Sequence, residues 1–152
     1  RLMTQQKTEG ASPGMPQGGP LEEAARGWLR DLIAPWVQAL ALQVQSVDAR
    51  QAVLRLPFSD ALCRQGGTIC GQALMSAADT AMVIAIAGSF GEFRPMTTVT
   101  LNTSFMRAVS GGDVILTARM LKPGRTMVFG EVEMAGVDGR LAAHVTTTYA
   151  LL

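Results

Sequence analysis

ICGQALMSAADTAMVIAIAGS, residues 69–89, decides how this chain folds. The run carries no charge except one carboxylate, Asp79, near its centre. It holds no proline and is rich in Ala, Met and Ile, which predicts one long, largely buried helix. A lone acid in such a helix costs free energy unless it has a partner or a chemical role. The length would also suit a membrane span. Gln72, Ser76, Asp79 and Thr80 interrupt the run, however, and strand patterns follow it, so a core helix is expected and no membrane span.

Downstream, the period changes from helical to two. Thr97 to Arg107 alternates, with Val99, Leu101, Thr103 and Phe105 on one face and Thr98, Thr100, Asn102 and Ser104 on the other. Gly111-Gly112 turns the chain into a strand at Val114 to Lys122, and Pro123-Gly124 turns it again into Thr126 to Ala135. Val137-Asp138-Gly139 is a hairpin signal, and Arg140 to Leu152 alternates as Leu141, Ala143, Val145, Thr147, Tyr149 and Leu151.

Upstream, Leu40 to Ser46 and Ala49 to Leu56 read as two strands around a turn at Val47-Asp48, followed by a loop at 57–67. A helix begins at Pro20, with Glu22 and Glu23 in its first turn and an apolar stripe of Trp28, Leu29, Leu32, Ile33 and Trp36, and is expected to end near Pro35. Residues 1–20 are dominated by Gly, Pro and Gln, and the expectation there is a flexible arm without an apolar leader stretch. The predicted organisation is that arm and a single domain over 21–152. The order is helix, two strands, long helix, four meander strands. An antiparallel sheet must cover its apolar face, and only the long helix is large and apolar enough to do so. The expectation is an α+β hotdog fold: an antiparallel sheet wrapped around one long central helix, with an extra N-terminal helix.

Composition narrows the function. The hydrophobic content of 48% and charged content of 16% describe a large buried fraction or surface hidden in an oligomer. A net charge of +1 leaves no electrostatic footprint for nucleic acid or an anionic membrane. Two cysteines, Cys63 and Cys70, make a poor disulfide framework, and one histidine, His144, makes a poor metal set. A reduced, cytoplasmic setting without metal or cofactor is expected, with Cys63 an inert loop thiol and His144 in a surface or inter-strand hydrogen bond.

Three stretches resemble the PaaI-like hotdog thioesterases: ICGQALMSAADTAM at 69–82, TTVTLNTSFMRAVSGGDVI at 97–115 and LKPGRTMVFGEVEMAGVDGRLAAHVTTTYALL at 121–152. Their order and spacing carry the resemblance over residues 40–152. Members of that family typically start the helix with His-Gly-Gly and place an acid nine positions after the His. Here Asp79 falls nine residues after Cys70, which stands in the His position; Gly71 is kept and Gln72 replaces the second Gly. The resemblance implies hydrolysis of an acyl-CoA in a homodimer or homotetramer, with CoA entering as part of the substrate. It also implies that the Gly124-Arg125 turn and the end of the Thr97 strand line a CoA channel.

Spacing adds a constraint of its own. Cys70 and Asp79 lie ~13 Å apart along one helix and cannot act on one carbonyl from the same chain. Two antiparallel helices in a two-fold dimer bring each helix start to the other's middle. Asp79 is then the predicted base or nucleophile, and the partner's Gly71 amide the predicted oxyanion donor. Substrate-binding candidates are Cys70, Gln72, Ser76, Thr80 and Asn102, with Arg107, Lys122, Gly124 and Arg125 for the CoA phosphates. Gln72 and Ser76 either orient water or satisfy each other, and Thr80 is open to bonding its own helix. Met75, Met82, Met96, Met106 and Met127 suit an adaptable acyl tunnel or plain core. The alternative reading is a non-catalytic hotdog protein that binds acyl-CoA or acyl carrier protein.

Overall fold

The computed structural model describes residues 18–152. Most of the expected 1–20 arm therefore lies outside the described residues. Helix α1 spans Pro20–Leu32 and a short turn of helix, α2, spans Pro35–Gln38. Strands β1 (Gln43–Val47) and β2 (Gln51–Leu56) follow, then the long helix α3 (Gly71–Phe90), and then β3 (Met96–Phe105), β4 (Val114–Pro123), β5 (Met127–Gly136) and β6 (Leu141–Leu151). The six strands form one sheet in the order β1-β2-β4-β5-β6-β3, and every neighbouring pair is antiparallel. The expected four-strand meander is corrected to three, β4-β5-β6: the chain crosses from β3 at one edge to pair β4 with β2, which puts β3 beside β6.

The sheet wraps α3, as the hotdog reading requires. Ala77, Ala78, Ala81, Met82, Ile84, Ala85 and Ile86 are fully buried, against Leu54, Leu56, Leu116, Val132 and Val145 of the sheet. Each such Ile, Leu or Met contributes roughly 1.5–3 kcal/mol. The alanines set the spacing, because small side chains let strands approach the helix. Gly88 takes this to its limit: a Cβ there would run into Val47 Cγ1. The helix stops at Gly91, whose φ of 70° is the left-handed cap that glycine adopts without strain. Long and apolar enough to cross a membrane, α3 is instead mostly packed inside the molecule.

Several boundaries differ from expectation for local reasons. The first helix ends at Leu32, because Ile33 and Ala34 are extended ahead of Pro35 and α2 starts afresh at that proline. Trp36, expected on the core stripe, is 66% exposed. β1 begins at Gln43 rather than Leu40, because Ala41 turns the chain with a φ of 55°. The largest departure is in β3. Its register with β6 shifts between Thr98 and Thr100, so Val99 bulges out and is 52% exposed instead of joining the inner face.

Candidate active site

Helix α3 carries Asp79 to the seam between β3 and β6. Thr98 Oγ1 on β3 donates a hydrogen bond of 2.8 Å to Asp79 Oδ1. The Tyr149 hydroxyl on β6 donates to the same oxygen and also stands 2.8 Å from the backbone carbonyl of Asp79. Oδ2 takes no hydrogen bond from any described residue. Tyr149 is 1% exposed. Burial, and then the neighbouring Asp79 charge, push its phenol well above the ordinary 10.0, so it remains a donor. The carboxylate that looked solitary in sequence is therefore anchored by two hydroxyls.

Gly71 sits at the opposite end of β3. The N-cap residue, Cys70, makes no side-chain cap, so the first amides of α3 keep their donor capacity. Cys70 donates its own N–H to Leu62 O, and its half-buried side chain packs on the core. The approach to Gly71 is occupied by the Phe105 ring, whose Cζ would lie 3.1 Å from a Cβ at that position. Gly71 and Asp79 are eight positions apart, ~12 Å along the helix, and meet different residues of β3: Phe105 for Gly71 and Thr98 for Asp79.

The polar stripe on α3 resolves into backbone bonds. Ser76 Oγ donates to Gln72 O and Thr80 Oγ1 donates to Ser76 O, each at 2.8 Å. Thr80 thus bonds its own helix, one of the readings left open, and the Ser76 proton is not aimed at Asp79. The Gln72 side chain is exposed on the same stripe.

The cation set divides in two. Arg107 lies with Arg140, Ser110 and Asp138 along a groove of about 510 Å³ between the β3–β4 loop and the β5–β6 hairpin. Lys122 and Arg125 lie at the β4–β5 hairpin, at the far end of the ten-residue β4, ~30 Å away. One chain therefore does not by itself bring Arg107 to Lys122 and Arg125. Asn102 is exposed on β3 between the two ends. Gly124 is required by its turn, since a Cβ there would collide with Met127 O.

The larger cavity, about 600 Å³, is off this site. Leu29 and Val37 of the N-terminal helices, Ile33 between them, and Leu42 and Val44 line it, and it touches α3 only at Thr80. No methionine lines it; Met82 is fully buried core, and Met106 is 50% exposed. His144 Nε2 pairs with Glu131 Oε2 across β5 and β6 at 2.9 Å, the inter-strand role expected of it. Among the described residues no three His, Cys, Asp or Glu side chains cluster as a metal site.

Sequence reasoning missed Thr98 and Tyr149. Strict alternation put Thr98 on the face opposite Leu101 and Phe105, and the bulge at Val99 brings it to their side of the sheet, opposite Tyr149. Tyr149 had a signal: it is the only tyrosine in the chain, and it falls on the inward positions of β6 with a polar tip to satisfy.

The sequence profile of the Thioesterase superfamily matches residues 66–143. A conserved protein from Pseudomonas aeruginosa, PA5202, is 32% identical in sequence; its structure covers 81% of this chain and 98% of its own, with a TM-score of 0.74. Zebra fish Thioesterase Superfamily Member 2 is 26% identical over 87% of this chain and 96% of its own, with a TM-score of 0.75. The E. coli PaaI protein of the phenylacetic acid degradation operon, 16% identical, shares the fold over 87% of this chain and 93% of its own, with a TM-score of 0.76.

Proposed function

The chain belongs to the Thioesterase superfamily and is a thioester hydrolase, and from that premise we propose that it cleaves an acyl-CoA to a carboxylate and free CoA at a site shared by two protomers. The observation that carries this reading is the placement of Asp79 and Gly71 at opposite ends of the edge strand β3, against Thr98 and Phe105. The positions midway between Thr98 and Phe105 are Leu101 and Asn102. A two-fold axis there, pairing β3 with its copy antiparallel, sets Thr98 of one protomer opposite Phe105 of the other. Asp79 then faces the partner's helix start. The same axis brings the Arg107 end of one protomer toward the Lys122–Arg125 hairpin of the other, so a split cation set is reassembled for the CoA phosphates.

In this arrangement the partner's Gly71 amide and the α3 dipole stabilise the negative charge that develops on the thioester oxygen. Asp79 Oδ2 either takes a proton from water as it attacks or attacks the carbonyl itself. In both routes a C–O bond forms, the C–S bond breaks, and the CoA thiolate leaves and is protonated; where Asp79 attacks, water then hydrolyses the resulting acyl-Asp79 anhydride, releasing the carboxylate and restoring Asp79. Cys70 takes no covalent part. No cofactor enters this scheme beyond the CoA of the substrate. The free thiols of Cys63 and Cys70 suit a reducing, cytoplasmic setting, and the assembly is a homodimer or homotetramer.

Thiol release across a panel of acyl-CoAs tests the reading. Asp79→Asn is expected to lower kcat on the order of a hundredfold or more, the scale for a positioned base, with fold and assembly intact and Cys70→Ser far milder. Full activity in Asp79→Asn together with loss in Cys70→Ser would install a cysteine nucleophile instead. Wild type that binds an acyl-CoA without turning it over would make this a non-catalytic binding protein.

A further inference from the structure

We propose that Tyr149 is a positioning residue that commits Asp79 Oδ1 and leaves Oδ2 as the single reacting oxygen. The inference rests on the thioesterase reading and deepens it. A carboxylate has two equivalent oxygens and a freely turning Cγ. At Asp79 that equivalence is broken, because both protein donors, Thr98 Oγ1 and the Tyr149 hydroxyl, converge on Oδ1 from two different strands.

Tyr149 holds more than the carboxylate. Its hydroxyl also reaches the main-chain carbonyl of the same residue, so one phenol spans the backbone and side chain of Asp79. A phenol has one proton to donate. Of its two acceptors the carboxylate carries the charge and makes the stronger bond, which assigns that proton to Oδ1. Thr98 is exposed and on the sheet edge, whereas Tyr149 is fixed by burial among core residues. Tyr149 is therefore the rigid member of the pair.

A buried tyrosine with no part in the reaction would also need an acceptor, and the test separates the two cases. Tyr149→Phe keeps the ring and its packing and removes the donor. It is expected to lower kcat about tenfold or more with KM within about twofold, the scale of one hydrogen bond to a charged group. Fluorotyrosine incorporated at this sole tyrosine retains the fold should the Phe variant lose it. It keeps the donor and should keep kcat near that of wild type. A readout without substrate completes the test: phenolate absorbance reports Tyr149 alone, and Asp79→Asn should bring its ionisation to lower pH. Tyr149→Phe with the wild-type kcat, beside an inactive Asp79→Asn, overturns the inference and leaves the thioesterase reading standing. A tyrosine titration indifferent to Asp79→Asn also overturns it. Absence of turnover in wild type overturns both, and the titration shows separately whether the hydrogen bond exists.

Discussion

The ring of Phe105 lies against Gly71 so closely that a Cβ at position 71 would stand 3.1 Å from Phe105 Cζ. That contact ties the start of α3 to the end of β3. Because Phe105 is half-exposed, the ring can give way.

Gly71→Ala therefore separates stability from chemistry. Alanine in a first helical turn gains roughly 0.5–1 kcal/mol over glycine, which offsets the cost of displacing the ring. The expected melting temperature is within a few degrees of wild type. Activity should fall, because the displaced ring and the new methyl both crowd the amide assigned to the thioester oxygen. The double variant Gly71→Ala/Phe105→Ala should recover part of kcat/KM. Equal losses in the single and double variants would mean that Phe105 has no part in the effect.

The edge strand β3 gives a second test. Thr100 and Asn102 are exposed and close to the proposed two-fold axis. Thr100→Asp/Asn102→Asp would set carboxylates of the two protomers beside each other. Opposed like charges on paired strands cost up to about 1 kcal/mol each, so the dimer dissociation constant should rise several-fold. Sedimentation across a concentration series reads this, and specific activity should fall along the same curve. An unchanged constant would move the interface away from β3.

A pH-dependent element lies just before β4, on the groove that holds Arg107 and away from Asp79. Asp113 accepts from the Phe58 amide at 2.7 Å and from Arg55 Nη1 at 2.8 Å. The amide bond first, then Arg55, hold its carboxyl below the usual range. A depressed folded value means that the stabilisation is complete above the unfolded carboxylate value of about 3.9. It is lost as pH falls through the folded value. Asp113→Asn should thus lower the melting temperature at neutral pH and show less of the further loss seen in wild type as pH falls below about 4. Parallel curves for the two proteins would remove Asp113 from the acid transition.

How much of this was legible in the sequence depended on whether a residue's role is local. The core helix was readable because an uncharged run with one acid has few other homes, and the structure starts it at Gly71, two residues from the first letter of the run. The strand boundaries were readable from turn residues, but the order was not: turns mark where strands end, and only pairing shows that β3 lies beside β6 and β4 beside β2. Asp79 stood out by charge contrast alone. Its partners did not, because the bulge at Val99 changes which face Thr98 occupies, and a one-residue slip inverts a strand. No composition signal marks that bulge; it appears in the pairing of β3 with β6. The separation of the cations was hidden for another reason. Arg107, Lys122 and Arg125 were grouped as charges near turns, but β4 separates their turns by its whole length, and only topology supplies that.

That separation yields a test no single-chain site could pass. Each proposed site takes Arg107 from one protomer and Arg125 from the other. Arg107→Glu alone and Arg125→Glu alone should each spoil both sites of a dimer, raising KM more than they lower kcat, because the groups hold a remote part of the substrate. In a mixed dimer the two reversals fall together in one site and leave the other with both arginines intact. Mixing the two impaired proteins under conditions that exchange protomers should restore activity at low substrate, with the KM of wild type. The ceiling is set by simple counting: random exchange makes half of the dimers mixed, and each mixed dimer has one wild-type site of two, so about one quarter of the sites recover. Mixtures no better than the mean of their parents would mean that Arg107 and Arg125 serve the same chain's site or none.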